Sequence, residues 1–430
     1  MDETLILNLN IAAYALFVVY FYKRYSLNNL STIASILYLL GSILSRLYYE
    51  TPVFFYSFSN QSDIKFQGML WLLLSNFLLI NLLKGFGFSR TNIISGYNER
   101  FFYKLQVFIV VIASFSLIIQ LPSAISNIMS GNLADIREAT YSEGAQVTRN
   151  IFVNYIQRLF GGLNFFLFLI PAFNYFVKKR IRRLDIISIV VYFLTFVCTM
   201  GAYVSRAIIV FKLLECLSVL FLLKEYVEFK RIKYFVILLI PIGFILAGFF
   251  NAVTSSRFGD STVNKTAENA ANLRYAGEPM LNFMALMYDE TSGCGYGYRS
   301  LPVFRKILGM SYFGKSGSEK EDNLQELDKI HPYPNFIFYT ASGDLYLDWG
   351  AVIPIVFLLI LNLSYYRFKN KRQGNFQILI WEQMFAFFVF YGVFYASYQN
   401  EASNFLIIYL FLFWRLFRND KYAIQPSTNR

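Results

Sequence analysis

Apolar positions in this chain gather into long, nearly unbroken runs, and polar positions gather between them. Neither the two-residue alternation of a half-buried strand nor the single stripe of a surface helix organises them. The runs fall at 5–22, 28–48, 67–86, 102–121, 152–177, 185–204, 207–223, 234–251, 349–366, 376–396 and 403–417, eleven in all. Most are close to the roughly 20 residues a helix needs to cross a hydrocarbon layer about 30 Å thick. Barrel strands would alternate in hydrophobicity over about 10 residues, and these runs do not. The pattern predicts an all-α polytopic membrane protein with eleven transmembrane helices. An odd number of spans sets the two termini on opposite sides.

Basic residues decide which side is which. They cluster at Lys23 and Arg24, at Lys84, Arg90, Arg100 and Lys104, from Lys178 to Arg183, at Lys224, Lys230, Arg231 and Lys233, from Arg367 to Arg372, and from Arg415 onward. Short loops enriched in Lys and Arg stay in the cytoplasm. The N-terminus, with Asp2 and Glu3, is therefore expected outside and the C-terminus inside. The Met-Asp-Glu start carries no basic stretch or small-residue cleavage site, so the first run is expected to be retained as a span.

Two external segments, 122–151 and 252–348, are longer than a connection requires. The second is too polar for lipid and is expected to form a partly folded periplasmic domain between the eighth and ninth spans. The chain then divides into 1–251, with eight spans and the 122–151 loop, the 252–348 loop domain, and 349–430, with three spans and a cytoplasmic tail. Loops held on a rigid scaffold commonly carry function, so these two are the places to look for it.

Composition sharpens the picture by exclusion. Hydrophobic residues make up 56% of the chain and charged residues 15%, spread along its length as expected for a lipid-embedded protein. A net charge of +12 in a soluble protein would suggest nucleic acid, but here the basic residues mark topology, and no nucleic-acid partner is expected. Cys198 and Cys216 sit in apolar runs, Cys294 stands apart, and His331 is the only histidine, so neither a disulfide framework nor a metal site is expected. No phosphate-binding Gly-rich loop or dinucleotide fingerprint occurs, and no cofactor is expected. Energy must come from the substrate itself or from a gradient.

Four constellations could carry chemistry. In the stretch 133–162, Asn150, Asn154 and Arg158 are spaced by four and share a helical face, with Gly161 and Gly162 allowing close approach. An arginine inside a span is costly unless it is paired or faces water, which makes Arg158 a candidate, although it could also snorkel to the interface. In 200–217, a tight turn holds Arg206 between two spans, and Lys212 and Glu215, three apart, could pair across one helical turn. In the segments 251–261 and 272–283 Arg257 stands near Asp260, and Arg274 and Tyr275 precede Gly277 and Glu278. Planar guanidinium donors suit a phosphate or diphosphate. Where the loop re-enters the bilayer, in 331–357, His331, Asp344 and Asp348 are the available proton acceptors. Tyr333, Phe336, Tyr339, Tyr346 and Trp349 around them fit an interfacial aromatic belt or a sugar-stacking surface.

This arrangement resembles the O-antigen polymerase (Wzy) family of oligosaccharide repeat-unit polymerases. The likeness rests on DIREATYSEG with Arg137, the SRA turn with Arg206, SRFGD with Arg257, RYAGEPMLNF with Arg274, Tyr275 and Glu278, and GDLYLDWG with Asp344 and Asp348. It implies a GT-C-like bundle that transfers glycan from an undecaprenyl-diphosphate carrier to another lipid-linked repeat unit, at the outer face of the bacterial inner membrane. It also implies a chain-length regulator and a flippase as partners. Arg137, Arg158, Arg206, Arg257 and Arg274 would hold diphosphate and glycan together with Asn154, and Asp344, Asp348 or His331 would act as the base. Related enzymes carry a His-Asn pair before an acidic-x-Gly at the re-entry. Here Asn335, Asp348 and Gly350 keep part of that pattern, and His331 is displaced from it. A flippase would need a central pathway and commonly shows Gly- or Pro-broken spans at matching positions, of which the sequence bears no sign. A ligase using the same donor differs only in its acceptor, and an acyltransferase would be expected to use an intramembrane histidine.

Overall fold

A computed structural model describes residues 2–50, 64–129, 151–203, 207–228, 277–285, 300–307, 339–369, 374–396, 401–417 and 419–423, with single positions between them. Helices occupy ten of the eleven apolar runs, and the run 234–251 lies outside the described residues except for Gly248. Among the described residues six helices are long and apolar enough to cross a membrane, and a bent pair, a broken span or a re-entrant loop, brings the count to at most seven.

The distribution of side chains is inside-out relative to a soluble protein. Leu16, Val111, Ile118, Leu363 and Phe411 are each more than 60% exposed. Asn10, Ser42, Asn76, Gln106, Asn174 and Gln383 are buried. Lipid solvates the apolar surface and can satisfy no amide, so the polar groups turn inward and find one another. The protein is thus built for a bilayer.

The chain forms two compact units. The first comprises Met1–Phe86, Asn269–Lys371 and Met384–Asn404. Its helices Glu3–Tyr25 and Leu30–Tyr49 pack side by side against Phe66–Leu82. Asn10 Nδ2 donates to Ser42 Oγ at 2.8 Å across the first pair. A short helix, 277–285, fits tightly against the others because glycines remove the side chains in its way. A Cβ on Gly277 would meet Leu44 O at 2.5 Å, and one on Gly68 would meet Met284 O at 2.8 Å.

The first unit also holds the largest departure from expectation. The apolar run predicts a span over 349–366, but helix begins at Thr340, and the pair Thr340–Trp349 and Ile353–Tyr365 is bent by 117°. Gly350 makes the elbow with φ 73°, and its N–H donates to Tyr346 O at 2.7 Å. Trp71 Nε1 donates to Ala351 O at 2.8 Å and fixes the corner. Asn362 fixes the second arm by accepting from Asn81 at 2.9 Å and donating to Leu78 O at 3.0 Å.

The second unit comprises Gly87–Glu268, Arg372–Gln383 and Phe405–Arg430. Its axis is the long helix Glu99–Met129 packed along Arg183–Tyr203. The former continues through Pro122, so the external loop expected from 122 starts at least a turn later. The run 152–177 forms two helices, Ile151–Phe160 and Phe166–Phe176, joined by 3-10 turns over Gly161–Phe165 where the paired glycines weaken the α-helix. An antiparallel ribbon of Ile93–Ser95 with Lys421–Ala423, unforeseen in an all-α reading, closes one end. Tyr97, Phe102, Phe173 and Phe376 pack beneath it with ring centroids 4.5–5.3 Å apart.

Candidate functional site

A bent helix pair and the end of another helix meet inside the first unit. The helix Phe376–Tyr391 ends in turns at 392–394, and the re-entrant helix starts beside them. Thr340 N donates to Phe394 O at 3.0 Å and Ala341 N to Gly392 O at 2.7 Å. Thr340 has φ 69°, a conformation a β-branched residue adopts only when its surroundings impose it, at a cost of about 1–3 kcal/mol. Its Oγ1 accepts from Gly343 N at 3.2 Å. Gly392 is required where it stands, since a Cβ would meet Phe388 O and Tyr38 Oη, each at 2.8 Å. Irregular backbone of this kind survives in membrane proteins where it is enclosed by protein or lines a polar cavity, and such breaks commonly form binding sites.

The acidic residues predicted at the re-entry belong to this element. Asp344 and Asp348 lie one turn apart on Thr340–Trp349, and both are fully buried. Asp344 Oδ2 accepts from Ala396 N at 2.7 Å. Asp348 Oδ2 accepts from Ser300 N at 2.6 Å, and Ser300 Oγ accepts from Trp349 Nε1 at 3.3 Å. Asn404 ties in the Pro302–Ile307 helix, accepting from Val303 N at 3.1 Å and donating to Ser300 O at 3.3 Å. On the neighbouring turn Ser342 Oγ donates to Asn76 Oδ1 at 2.6 Å, while Asn76 Nδ2 donates to Tyr14 Oη at 2.7 Å. One oxygen of each aspartate therefore accepts from a backbone amide of another segment. Glu278 is also buried in this unit, on the helix 277–285.

The other predicted residues fall elsewhere. Asn154 and Arg158 lie on the Ile151–Phe160 helix of the second unit, one turn apart as the spacing predicts, and Arg158 is exposed. Arg137, Arg206, Arg257, Arg274, Tyr275 and His331 lie outside the described residues. In the sequence Arg206 falls between Arg183–Tyr203 and Ala207–Leu222, two helices in contact with each other.

The second unit holds two buried polar centres. In one, Lys212 Nζ donates to Glu215 Oε2 at 2.6 Å, the pairing anticipated from their spacing. Tyr192 Oη donates to the same oxygen at 3.0 Å, and Gln383 donates to Glu215 O at 3.2 Å and Ser218 Oγ at 2.8 Å. The other centre escapes a reading of the sequence. Asp185 Oδ1 accepts from Gln106 at 3.0 Å and Asn174 at 2.9 Å, and its Oδ2 accepts from Arg182 N at 2.9 Å. Its only signal is the lone amides inside apolar runs, which in lipid must find partners. Next to this centre Lys178, beyond the helix end, is pulled down to about 8 by burial and by the neighbouring Arg180, against the attraction of Asp185. Burial raises the Tyr97 phenol beside it.

Among the described residues no group of His, Cys, Asp and Glu is arranged to hold a metal ion. Comparison of the chain with protein-family models, characterised proteins and solved structures returns no match.

Proposed function

We propose that this protein is a membrane glycosyltransferase that polymerises undecaprenyl-diphosphate-linked oligosaccharide repeat units at the outer face of the bacterial inner membrane. The observation that carries the reading is the helix bearing GDLYLDW, bent by 117° against the helix that follows it, with two buried carboxylates one turn apart. In the reaction, the bond between the donor sugar's anomeric carbon and the diphosphate oxygen breaks, and the acceptor hydroxyl oxygen bonds to that carbon. The hydroxyl proton passes to a base drawn from Asp344, Asp348 and His331, and undecaprenyl diphosphate leaves. Arg137, Arg206, Arg257 and Arg274 stabilise the charge that develops on the diphosphate, with Arg158, Asn154, Tyr275 and Glu278 contributing to substrate binding.

The break itself also favours a second reading, a flippase for the same lipid-linked oligosaccharide, because broken helices are common in transporters. Reconstitution separates the two. Proteoliposomes loaded with a lipid-linked repeat unit should yield a ladder of longer glycans, and Asp344→Asn or Asp348→Asn should slow its formation by about 10²–10⁴-fold if that residue is the base. Arg206→Ala should leave only single repeat units. Movement of the oligosaccharide between leaflets without any lengthening would overturn polymerisation in favour of transport.

A further inference from the structure

The second unit concentrates unmatched positive charge at one point. A single oxygen, Glu99 Oε1, lies 3.0 Å from Lys178 Nζ and also pairs with Arg180 and Arg182. Three cations on one carboxylate leave two positive charges over. Asp185 offsets at most one of them, and its oxygens already serve Gln106, Asn174 and the Arg182 amide. Glu228 is taken by Lys179 at 2.5 Å. Two helices, Glu99–Met129 and Arg183–Tyr203, begin at this point and add the partial positive charge of their N-termini, against one C-terminus from Phe166–Phe176.

Lys178 records the imbalance most directly. Its side chain is 2% exposed, its ammonium makes no hydrogen bond, and the rings of Tyr97 and Tyr422 stand 5.0 and 4.3 Å away. Burial first, and the neighbouring Arg180 second, lower its proton affinity, against the attraction of Asp185. The cluster opens outward through Arg180, whose side chain is 50% exposed. Because three apolar helices end here, the opening lies at the level where lipid headgroups meet the protein surface.

We propose that Lys178, Arg180 and Arg182 form a phosphate-binding site, filled either by the headgroup of an anionic phospholipid or by a free phosphate compound. The two guanidinium groups provide planar paired donors for phosphate oxygens, and Lys178 provides a point charge behind them. Glu99 occupies the site when it is empty, acting as the internal competitor for the cations.

That last role supplies the test. Full-length protein in phosphatidylcholine nanodiscs is titrated with phosphatidylglycerol, and bound lipid is counted by native mass spectrometry; inorganic phosphate is titrated in a second arm. At least one arm should show saturable binding, weakened about tenfold or more in the Arg180→Gln/Arg182→Gln variant. Glu99→Gln should bind several-fold tighter, whereas a Glu99 that only holds the loop in shape would make the same variant bind more weakly. Saturation by phosphatidylglycerol alone identifies a lipid site, and saturation by phosphate as well identifies a free phosphate compound. Size-exclusion profiles and circular dichroism establish that the variants are folded, with Arg180→Gln alone as the milder substitution. No saturable binding in either arm, or weaker binding by Glu99→Gln, overturns the proposal.

Discussion

Replacing Lys212 by methionine leaves the Glu215 carboxylate without its ammonium in a place where little else can neutralise it. The pair is close, at 2.6 Å, with side chains 20% exposed for Lys212 and 5% for Glu215. With an effective dielectric near 20, unit charges at such a separation attract by about 6 kcal/mol before desolvation is counted. Desolvation cancels much of this, and removing one partner of a buried pair typically costs about 3–5 kcal/mol because the survivor is stranded. Glu215 keeps its hydrogen bond from Tyr192 at 3.0 Å, so the lower end of that range, about 3 kcal/mol, is expected for Lys212→Met. Glu215→Gln should cost less, about 1.5 kcal/mol. The remaining ammonium is the more exposed partner and lies over the Tyr192 ring at 4.7 Å.

The double variant discriminates. With both charges gone neither is stranded, so Lys212→Met/Glu215→Gln should lose about 1.5 kcal/mol, a coupling of about 3 kcal/mol. Equilibrium unfolding by sodium dodecyl sulfate in mixed micelles, read by tryptophan fluorescence, measures all four proteins. Additivity of the single variants within about 0.5 kcal/mol would show that solvent or other groups already neutralise each charge.

Three further outcomes are expected. Gly277→Ala places a Cβ 2.5 Å from Leu44 O, backbone that cannot step aside, and should cost about 1–3 kcal/mol in the same unfolding assay. Asn76→Leu removes the amide between Ser342 and Tyr14 and strands two buried hydroxyls, costing about 2–4 kcal/mol; a neutral result would show that both find other partners. Lys178 has a folded pKa of about 8 against an ordinary 10.5, so the unfolded chain binds more protons between those values. Stability should therefore rise as pH increases from about 8 toward 10, by about 2 kcal/mol after allowance for screening, and Lys178→Met should flatten the rise.

Long apolar helices were legible because their signal is local: Glu3–Tyr25 or Arg183–Tyr203 is identifiable from its own residues. The Lys212–Glu215 pair was legible for the same reason, since three positions on a helix fix proximity, whereas Tyr192 and Gln383 reach Glu215 only through tertiary packing. The re-entrant helix was not legible. Thr340, Ser342, Gly343, Asp344 and Asp348 make its ten residues look like the polar margin of a span, and no local signal there marks a broken element. What permits its burial is supplied from far along the chain, by Ser300, Asn76 and Ala396. The ribbon of Ile93–Ser95 with Lys421–Ala423 escaped notice likewise, because each strand has three residues and their partner lies over 300 positions away.

In the proposed reaction the buried aspartates would act through the same contacts that stabilise the fold. A carboxylate placed in an apolar bundle only to accept a proton would be expensive to ionise, and burial would favour its neutral form. Asp344 and Asp348 each accept a backbone N–H, from Ala396 and from Ser300. Each carboxylate thus serves the fold, by tying the Thr340–Trp349 helix to another segment, and would serve the proposed reaction as its base. Loss of the side chain would damage both together, which is why asparagine rather than alanine separates them: it can still accept the amide N–H through its carbonyl oxygen but cannot take a proton from an attacking hydroxyl. A variant that folds with its elbow intact yet forms no glycan would assign the missing step to the proton, and one that works normally would leave these aspartates as braces for the re-entrant helix.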